Sequence, residues 1–194
     1  MRFPLLIACA AVFLTTGCDR STVPPNLGGT SSAFDPLIFF NGQIRSWGVV
    51  ESRSGAPTGW VMTQCAGHDD GPDRLHMVQH LSFENSSPQD RRWTLWRTGP
   101  NRFEATANDM VGSAKGESVG RAFHWQWVLA RFPGERPFDV TMNQWMYQLD
   151  DGSVMIRTTI SKLGIILAEV SEQFAHTGTP RTAGQIARPA DPPS

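Results

Sequence analysis

A serine between two glycines is the segment closest to a catalytic motif. Residues 116–120 (GESVG) fit the G-x-S-x-G pattern of serine hydrolases, and Asp139 and His176 follow Ser118 in the order that α/β-hydrolases use. That pattern is catalytic on a sharp strand-to-helix turn, which exposes the serine beside amides that bind an oxyanion. Residues 121–125 instead alternate in polarity like a strand. We therefore interpret the glycines as part of a hairpin and assign no catalytic residue.

Histidine and aspartate side chains between residues 68 and 80 are the candidates for metal binding. His76 and His80 are four residues apart, which on a strand places them on one face about 13 Å apart. They could share an ion only with help from a neighbouring strand. His68, Asp69 and Asp70 offer further ligands of the kind that Zn prefers. Because the spacing matches no recognised metal motif, we predict neither a metal nor a cofactor.

Tryptophan and phenylalanine supply most of the large apolar surface, with seven Trp and eleven Phe against one Tyr. Such rings either fill a core or line a cavity for an apolar ligand, where indole N–H groups serve as polar handles. Both alternatives stay open, since the interior of an eight-stranded barrel is just wide enough for side chains to fill. The candidates for lining a ligand cavity are Trp47, Trp93, Phe103, Trp125, Trp127 and Trp145.

The start of the chain has the features of an export signal that ends at a cysteine. Arg2 precedes an apolar stretch, residues 3–14, that is too short for a permanent transmembrane helix, which needs about 20 residues. Small residues and Cys18 follow, as in the signals of bacterial lipoproteins. We predict a lipoprotein signal peptide over residues 1–17 and lipidation of Cys18; an ordinary secretory signal is the alternative.

Acyl chains on Cys18, such as palmitate, would attach the protein to the cell-envelope membrane, facing the periplasm. Asp19 follows directly, and an Asp there is associated with inner-membrane retention in well-studied Gram-negative bacteria. Cys9 lies in the signal, so Cys65 is the one thiol left and no internal disulfide is expected. The formal charge of -1 and the absence of a basic stripe argue against nucleic acid as a partner.

Two segments of low complexity flank a single expected domain. Residues 18–33 and 177–194 are rich in Ser, Thr, Pro and Gly and cannot bury enough surface to order themselves. We predict a flexible tether and a disordered tail. Residues 34–176 remain as one domain, in keeping with a chain of 194 residues of which 40% are apolar.

Alternation of apolar and polar residues inside this domain predicts β-strands. Phe123, Trp125 and Trp127 share one face and His124 and Gln126 the other, and short turn signals recur along the chain. Consecutive short strands without helices between them indicate an antiparallel sheet. We predict an all-β, antiparallel barrel of 8–10 strands, because closure removes exposed edges; a two-sheet sandwich is the alternative.

Three arginines within these strands, Arg45, Arg92 and Arg157, have apolar neighbours in sequence. An arginine that faced the interior would need a buried acid or a ligand anion, because an unpaired buried charge is too costly. A position on the surface is the default expectation for each.

Six segments of the expected domain form a recognisable series of motifs: residues 40–48 (FNGQIRSWG), 92–95 (RWTL), 109–116 (DMVGSAKG), 145–147 (WMY), 150–151 (DD) and 161–164 (SKLG). These segments resemble the DUF3833 family of bacterial lipoproteins and keep the order of its motifs. The resemblance covers nearly all of the expected domain, and it implies a calycin-like (lipocalin-like) barrel. It also implies an envelope lipid context, since family members tend to lie among genes for membrane-lipid modification. Asn143 and Gln144 stand where the family has an acidic pair.

Three functional hypotheses follow. The preferred one is a non-enzymatic envelope lipoprotein that binds or carries an apolar, lipid-like molecule, such as a fatty-acyl chain, at the membrane surface. The second is an enzyme of membrane-lipid modification, with Asp109 or Glu117 in a pocket at a shifted pKa. The third is an accessory subunit of an inner-membrane protein, with a filled core and an exposed apolar patch.

Overall fold

Ten antiparallel strands form a closed barrel in the computed structural model, which describes residues 33–84, 86–130 and 139–178. The strands are β1 (Gly42–Ser52), β2 (Pro57–Asp69), β3 (Arg74–Phe83), β4 (Ser86–Gly99), β5 (Arg102–Ala107), β6 (Met110–Val119), β7 (Ala122–Leu129), β8 (Val140–Gln148), β9 (Val154–Lys162) and β10 (Ile165–His176). Each strand pairs with the next in sequence, and β1 pairs with β10 to close the ring. The predicted all-β antiparallel barrel is confirmed, and the alternative of a two-sheet sandwich is wrong.

Several predicted segments lie outside the described residues. They are the signal peptide (residues 1–17), Cys18, residues 19–32 of the tether and residues 179–194 of the tail. Within the described ranges, the helical structure includes nothing long and apolar enough to cross a membrane.

Alternating side chains give each strand an inward and an outward face. On β7, Phe123, Trp125 and Trp127 point inward and are at most 3% exposed, whereas Gln126 between them is exposed. This is the period of two that the sequence indicates. Buried residues from the inward faces join into one apolar cluster, which is the core of the barrel.

Aromatic rings pack against one another through this core. Trp93 and Trp125 stack with ring centroids 5.3 Å and planes 9° apart, and Trp127 meets Trp93 edge-on at 5.3 Å. Phe123 contacts both Trp125 and Phe103, at 5.3 and 5.9 Å. Aromatic pairs in such arrangements contribute about 0.5–1.5 kcal/mol each beyond the area that they bury. These rings therefore act as packing partners for one another.

A short helix covers one end of the barrel. The helix α1 (Pro36–Phe39) begins after Asp35, whose carboxylate accepts hydrogen bonds from the backbone N–H of Leu37 (2.9 Å) and Ile38 (3.4 Å). Proline at the first helical position already has the backbone angle that a helix requires. We call the end that α1 covers the closed end of the barrel and the opposite end the far end. The buried residues that cover the closed end are Phe34, Leu37, Phe39 and Phe40.

Polar contacts attach this helical segment to the barrel. The backbone N–H of Phe34 donates to the carbonyl oxygen of Gly120 in the β6–β7 turn, at 2.7 Å. Arg97 on β4 donates from Nη2 to Asp35 (2.6 Å) and from Nε to Asp73 in the β2–β3 turn (2.9 Å). The segment is thus fixed to β4 and to the β6–β7 turn, and Arg97 also binds the β2–β3 turn.

Gly67 on β2 lies against the end of α1, and replacing it should weaken the closed end. A Cβ at Gly67 would overlap the carbonyl oxygen of Phe40, so the backbone must move. We expect Gly67→Ala to lower the free energy of unfolding by about 1–3 kcal/mol, as in other overpacked interiors. Urea unfolding followed by tryptophan fluorescence measures this.

Gly99→Ala is the matched control for that substitution. A Cβ at Gly99 would meet its nearest neighbour, Arg102 Cβ, at 4.0 Å, which is an ordinary contact. We expect a change within about 0.5 kcal/mol. Equal losses of stability in the two variants would contradict the close approach of Gly67 to α1.

Candidate functional site

Polar side chains occupy the barrel interior between the aromatic core and the far end. On β4, Arg91 is the inward-facing residue that follows Trp93 towards the far end. On β10, Glu172 is the inward-facing residue that follows Phe174 towards the far end. The two charged residues are 6% and 8% exposed, respectively. We call these two residues and their partners the interior polar cluster: Arg91, Glu172, Ser46, Thr63 and Asp109.

Glu172 places one carboxyl group inside the barrel. Its Oε1 accepts hydrogen bonds from the hydroxyls of Ser46 (2.7 Å) and Thr63 (2.9 Å), while Oε2 has no hydrogen-bond partner among the described residues. Burial raises the pKa of Glu172 above its ordinary value, and the two hydroxyls and the charge of Arg91 oppose this rise. Gly48 on β1 makes room for the side chain, since a Cβ there would overlap Glu172 Cγ.

Arg91 is held by an acid on one side and by two indole rings on the other. Its Nε donates to both carboxylate oxygens of Asp109, at 2.8 Å each. The guanidinium carbon lies 4.9 Å from the ring centroid of Trp127 and 5.7 Å from that of Trp93, which are cation–π distances. Neither Nη1 nor Nη2 donates to an acceptor in the described part of the chain.

Two glutamines bind the indole N–H groups of the core. Gln79 Oε1 accepts from Trp93 Nε1 at 2.8 Å. Gln144 Oε1 accepts from the Nε1 atoms of Trp125 and Trp127, at 2.6 and 3.1 Å. The indole donors considered as handles for a ligand are therefore bound to protein amides. Arg91 and Glu172, by contrast, keep side-chain atoms that meet no partner among the described residues.

The structure brings together four of the six residues predicted to line a cavity. Trp93, Phe103, Trp125 and Trp127 are buried in the core cluster. Trp47 and Trp145 lie on the outer face. Trp47 is 46% exposed because its neighbours on β1, Ser46 and Gly48, take the inward positions. Trp145 follows the inward Gln144, so it packs outside against His124, with ring centroids 4.3 Å apart.

Apolar residues near the far end complete the interior. Ala107, Met110, Leu129 and Ile160 pack against the core cluster but stay partly exposed. They lie at the ends of β5, β6, β7 and β9 that point away from α1. The interior is thus covered by a helix at the closed end, whereas its apolar lining near the far end keeps some contact with solvent.

Cys65 lies in the same interior, and its thiol is unreactive. It is a free cysteine, 1% exposed, on the inward face of β2. Burial, followed by the negative charge of Glu172, raises the pKa of the thiol to about 12. The thiol therefore stays protonated at neutral pH and is a poor nucleophile.

The hydrolase-like motif does not form a nucleophile elbow. Ser118 is on β6, and the chain turns at Gly120 and enters β7 rather than a helix. The serine is 2% exposed, and its Oγ has no hydrogen-bond partner within the described ranges. Glu117 next to it lies on the outer face, where with Lys115 and His124 it lines a concavity of about 420 Å³.

The histidines form pairs rather than a metal centre. The rings of His68 and His76 are 5.6 Å apart on neighbouring strands, and His76 contacts Asp70 at 3.1 Å. His80 contacts Asp90 at 2.6 Å instead of joining them. Across the described ranges, no group of three or more His, Cys, Asp or Glu residues could hold a metal ion.

Reasoning from sequence missed the two charged residues of the interior polar cluster. Arg45, Arg92 and Arg157 are all exposed, whereas Arg91 is the arginine that faces inward. The alternation along β4 could have identified Arg91, because it lies two residues before Trp93 and therefore shares its inward face. Glu172 likewise lies two residues before Phe174 along β10.

The position of Glu172 predicts a particular dependence of stability on pH. Because its pKa is raised in the folded state above the ordinary value of 4.5, the folded protein holds this proton more tightly than the unfolded chain does. The free energy of unfolding should therefore fall as the pH rises from about 4.5 through the raised pKa. In Glu172→Gln this decline should be absent.

Urea unfolding over a series of pH values, followed by tryptophan fluorescence, measures the effect. Glu84→Gln changes an exposed carboxyl group in the β3–β4 turn and serves as the control. Parallel stability profiles of the wild type and Glu172→Gln would rule out this role of the buried acid.

Comparison with known proteins agrees with the fold. The S-type phycobiliprotein lyase from Guillardia theta superposes on 72% of this chain and 89% of its own, with a TM-score of 0.54 and 10% sequence identity. This likeness confirms the calycin-like barrel. The comparison with curated proteins gives no match. The family model described as "Protein of unknown function (DUF3833)" matches residues 12–176, and the chain therefore belongs to the DUF3833 family.

Proposed function

We propose that this protein is a non-enzymatic barrel that binds or carries an apolar, fatty-acyl-like molecule at the surface of the cell-envelope membrane. The observation that supports the proposal is the difference between the two ends of the barrel. Helix α1 covers the closed end, whereas inward-facing apolar residues near the far end stay partly exposed. An apolar lining with a few polar groups is typical of a site for a small lipid-like ligand.

The alternative of an enzyme finds less support in the same interior. Asp109, one of the two acids considered for catalysis, forms an ion pair with Arg91. Glu117, the other, lies outside the barrel. Cys65 is held as a protonated thiol. The described interior thus holds side chains suited to binding, with no nucleophile paired to a base.

A contact surface for an inner-membrane partner is a second role, and it has its own supporting feature. Trp47 and Met62 are cross-strand neighbours on the outer faces of β1 and β2, as are Val49 and Trp60. These four side chains are between 37% and 46% exposed. Clustered apolar side chains at a surface are typical of interaction sites. Such a partner would use the outside of the sheet and leave the interior for a ligand.

Membrane attachment through acylated Cys18 is the second part of the proposal. Cys18 and the signal peptide precede the described residues. The segment from Cys18 to Ala33 could extend about 50 Å at most, which would keep the barrel beside the bilayer. Retention at the inner membrane, with the barrel in the periplasm, would follow from Asp19.

If Cys18 is lipidated, this cysteine should carry all of the label that cells incorporate into the protein from a palmitate analogue. Cells that express the full chain and are fed a palmitate analogue should label the wild type and not Cys18→Ala. Cys65→Ala should stay labelled, because the buried thiol is neither exposed nor ionised. Label that persists in Cys18→Ala would show that the anchor is wrong.

Binding in the interior predicts that a lipid accompanies the purified protein. Native mass spectrometry of the full chain at low detergent should detect a bound apolar molecule. Ala107→Trp, which fills the lining near the far end, should lose that molecule. Thr106→Trp adds the same ring to the outer face of β5 and should retain it. A wild type free of lipid, before and after incubation with palmitate, would refute the proposal.

A further inference from the structure

We propose that the interior polar cluster binds the head group of the ligand as a carboxylate, so that the ligand is a free fatty acid rather than an ester or an alcohol. In this arrangement the Nη1 and Nη2 groups of Arg91 donate to the two carboxylate oxygens, and Glu172 donates through Oε2. The inference rests on the proposed function, because it assigns a chemical class to the ligand of the same interior.

Arg91 provides the first argument. Of its five N–H donors, the one on Nε is used by Asp109, and the four on Nη1 and Nη2 meet no acceptor in the described chain. Donors left without a partner in the interior are costly. The two Nη atoms form the planar fork that matches a carboxylate with two parallel hydrogen bonds. The structure thus offers an anion-binding edge that the described residues leave unused.

Glu172 provides the second argument. Its Oε1 already accepts from Ser46 and Thr63, so Oε2 is the carboxyl oxygen that a ligand could approach. Burial favours the neutral acid, and a neutral acid bears a proton that Oε2 can donate. The neighbouring titratable groups are Arg91, whose charge opposes the rise in pKa and is paired with Asp109, and the protonated thiol of Cys65.

These polar atoms are accessible within the barrel. Among the described residues, Ser118 Oγ is the fully enclosed side-chain polar atom that lacks a partner. The Nη atoms of Arg91 and Oε2 of Glu172 also lack a partner among the described residues, without being fully enclosed. They therefore keep some contact with solvent, from which a ligand atom could reach them.

The position of the cluster also fits an amphiphile. Arg91 and Glu172 lie on the far-end side of Trp93 and Phe174, and the partly exposed apolar lining that includes Leu129 and Ile160 packs against the same core. A carboxylate at the cluster would direct its acyl chain along this lining towards the far end. The core behind the cluster is filled by rings such as Trp93 and Trp127, so the chain has no path towards the closed end.

The experiment compares three ligands of equal chain length on the full chain, purified in a mild detergent and stripped of bound lipid. Palmitate, methyl palmitate and hexadecanol are titrated, and binding is followed by tryptophan fluorescence, since Trp93 and Trp127 lie against Arg91. We expect the wild type to bind palmitate at least tenfold more tightly than the ester or the alcohol. This comparison uses only the wild-type protein, so its result does not depend on whether a variant folds.

Variants then locate the source of the preference. Combining Arg91→Met with Asp109→Asn removes the ion pair without leaving either charge alone. This double variant should bind palmitate at least tenfold more weakly than the wild type does, and it should bind methyl palmitate as the wild type does. Arg92→Met, which changes the exposed neighbour on β4, should keep the wild-type preference.

The outcomes separate the two proposals. Equal affinities of the wild type for palmitate and methyl palmitate would overturn the carboxylate site and leave lipid binding intact. A palmitate preference that survives in the Arg91 double variant would overturn it as well. No binding of any of the three ligands would instead refute the proposed function.

Discussion

The pairing of β1 with β10 is the constraint on which the rest of the molecule depends. It joins the two ends of a ten-stranded antiparallel meander over the described residues and thereby separates an interior from an exterior. The interior polar cluster exists because of this closure. Ser46 on β1 and Glu172 on β10 are 126 positions apart in sequence, yet their side chains share a hydrogen bond of 2.7 Å. Thr63 reaches the same oxygen from β2. An open sheet with the same strands would leave the carboxyl group in water.

The closed barrel holds two chemically different layers. The stacked rings of Trp93 and Trp125 belong to the apolar layer on the side of α1, where Gln79 and Gln144 accept hydrogen bonds from their indole N–H groups. The layer beyond it buries a guanidinium and a carboxyl group, which is expensive unless their hydrogen bonds are satisfied. A protein selected for stability alone would be better served by apolar side chains there. Among the described residues, the hydrogen bonding of Arg91 and Glu172 is incomplete, and the proposal that this layer binds a ligand rests on that feature.

The sequence predicts the barrel well and its inner surface in part. Alternation correctly assigns Phe123, Trp125 and Trp127 to one inward face, because period two is a local property of an extended chain. Trp47 and Trp145 were included as tryptophans, without regard to their position in the alternation, and both lie outside. The three arginines considered were chosen for apolar neighbours in sequence, which selects Arg92, whereas the alternation with Trp93 places Arg91 inside. The junction of β1 with β10 and the contact of Glu172 with Ser46 depend on pairing between distant segments, which no local pattern encodes. Helix α1 was missed although Asp35 and Pro36 form a recognisable start signal.

The attachment of α1 has a mechanical consequence. The chain enters the barrel at Phe34 and Asp35, where one backbone hydrogen bond to Gly120 and one ion pair to Arg97 fix it. Any tension applied to the preceding residues, for instance by a bilayer that undulates or a partner that moves, loads these two contacts before it loads the sheet. We expect these two contacts to break before the hydrogen bonds between β1 and β10 do. Helix α1 would then leave the closed end of the barrel while the strands stay paired.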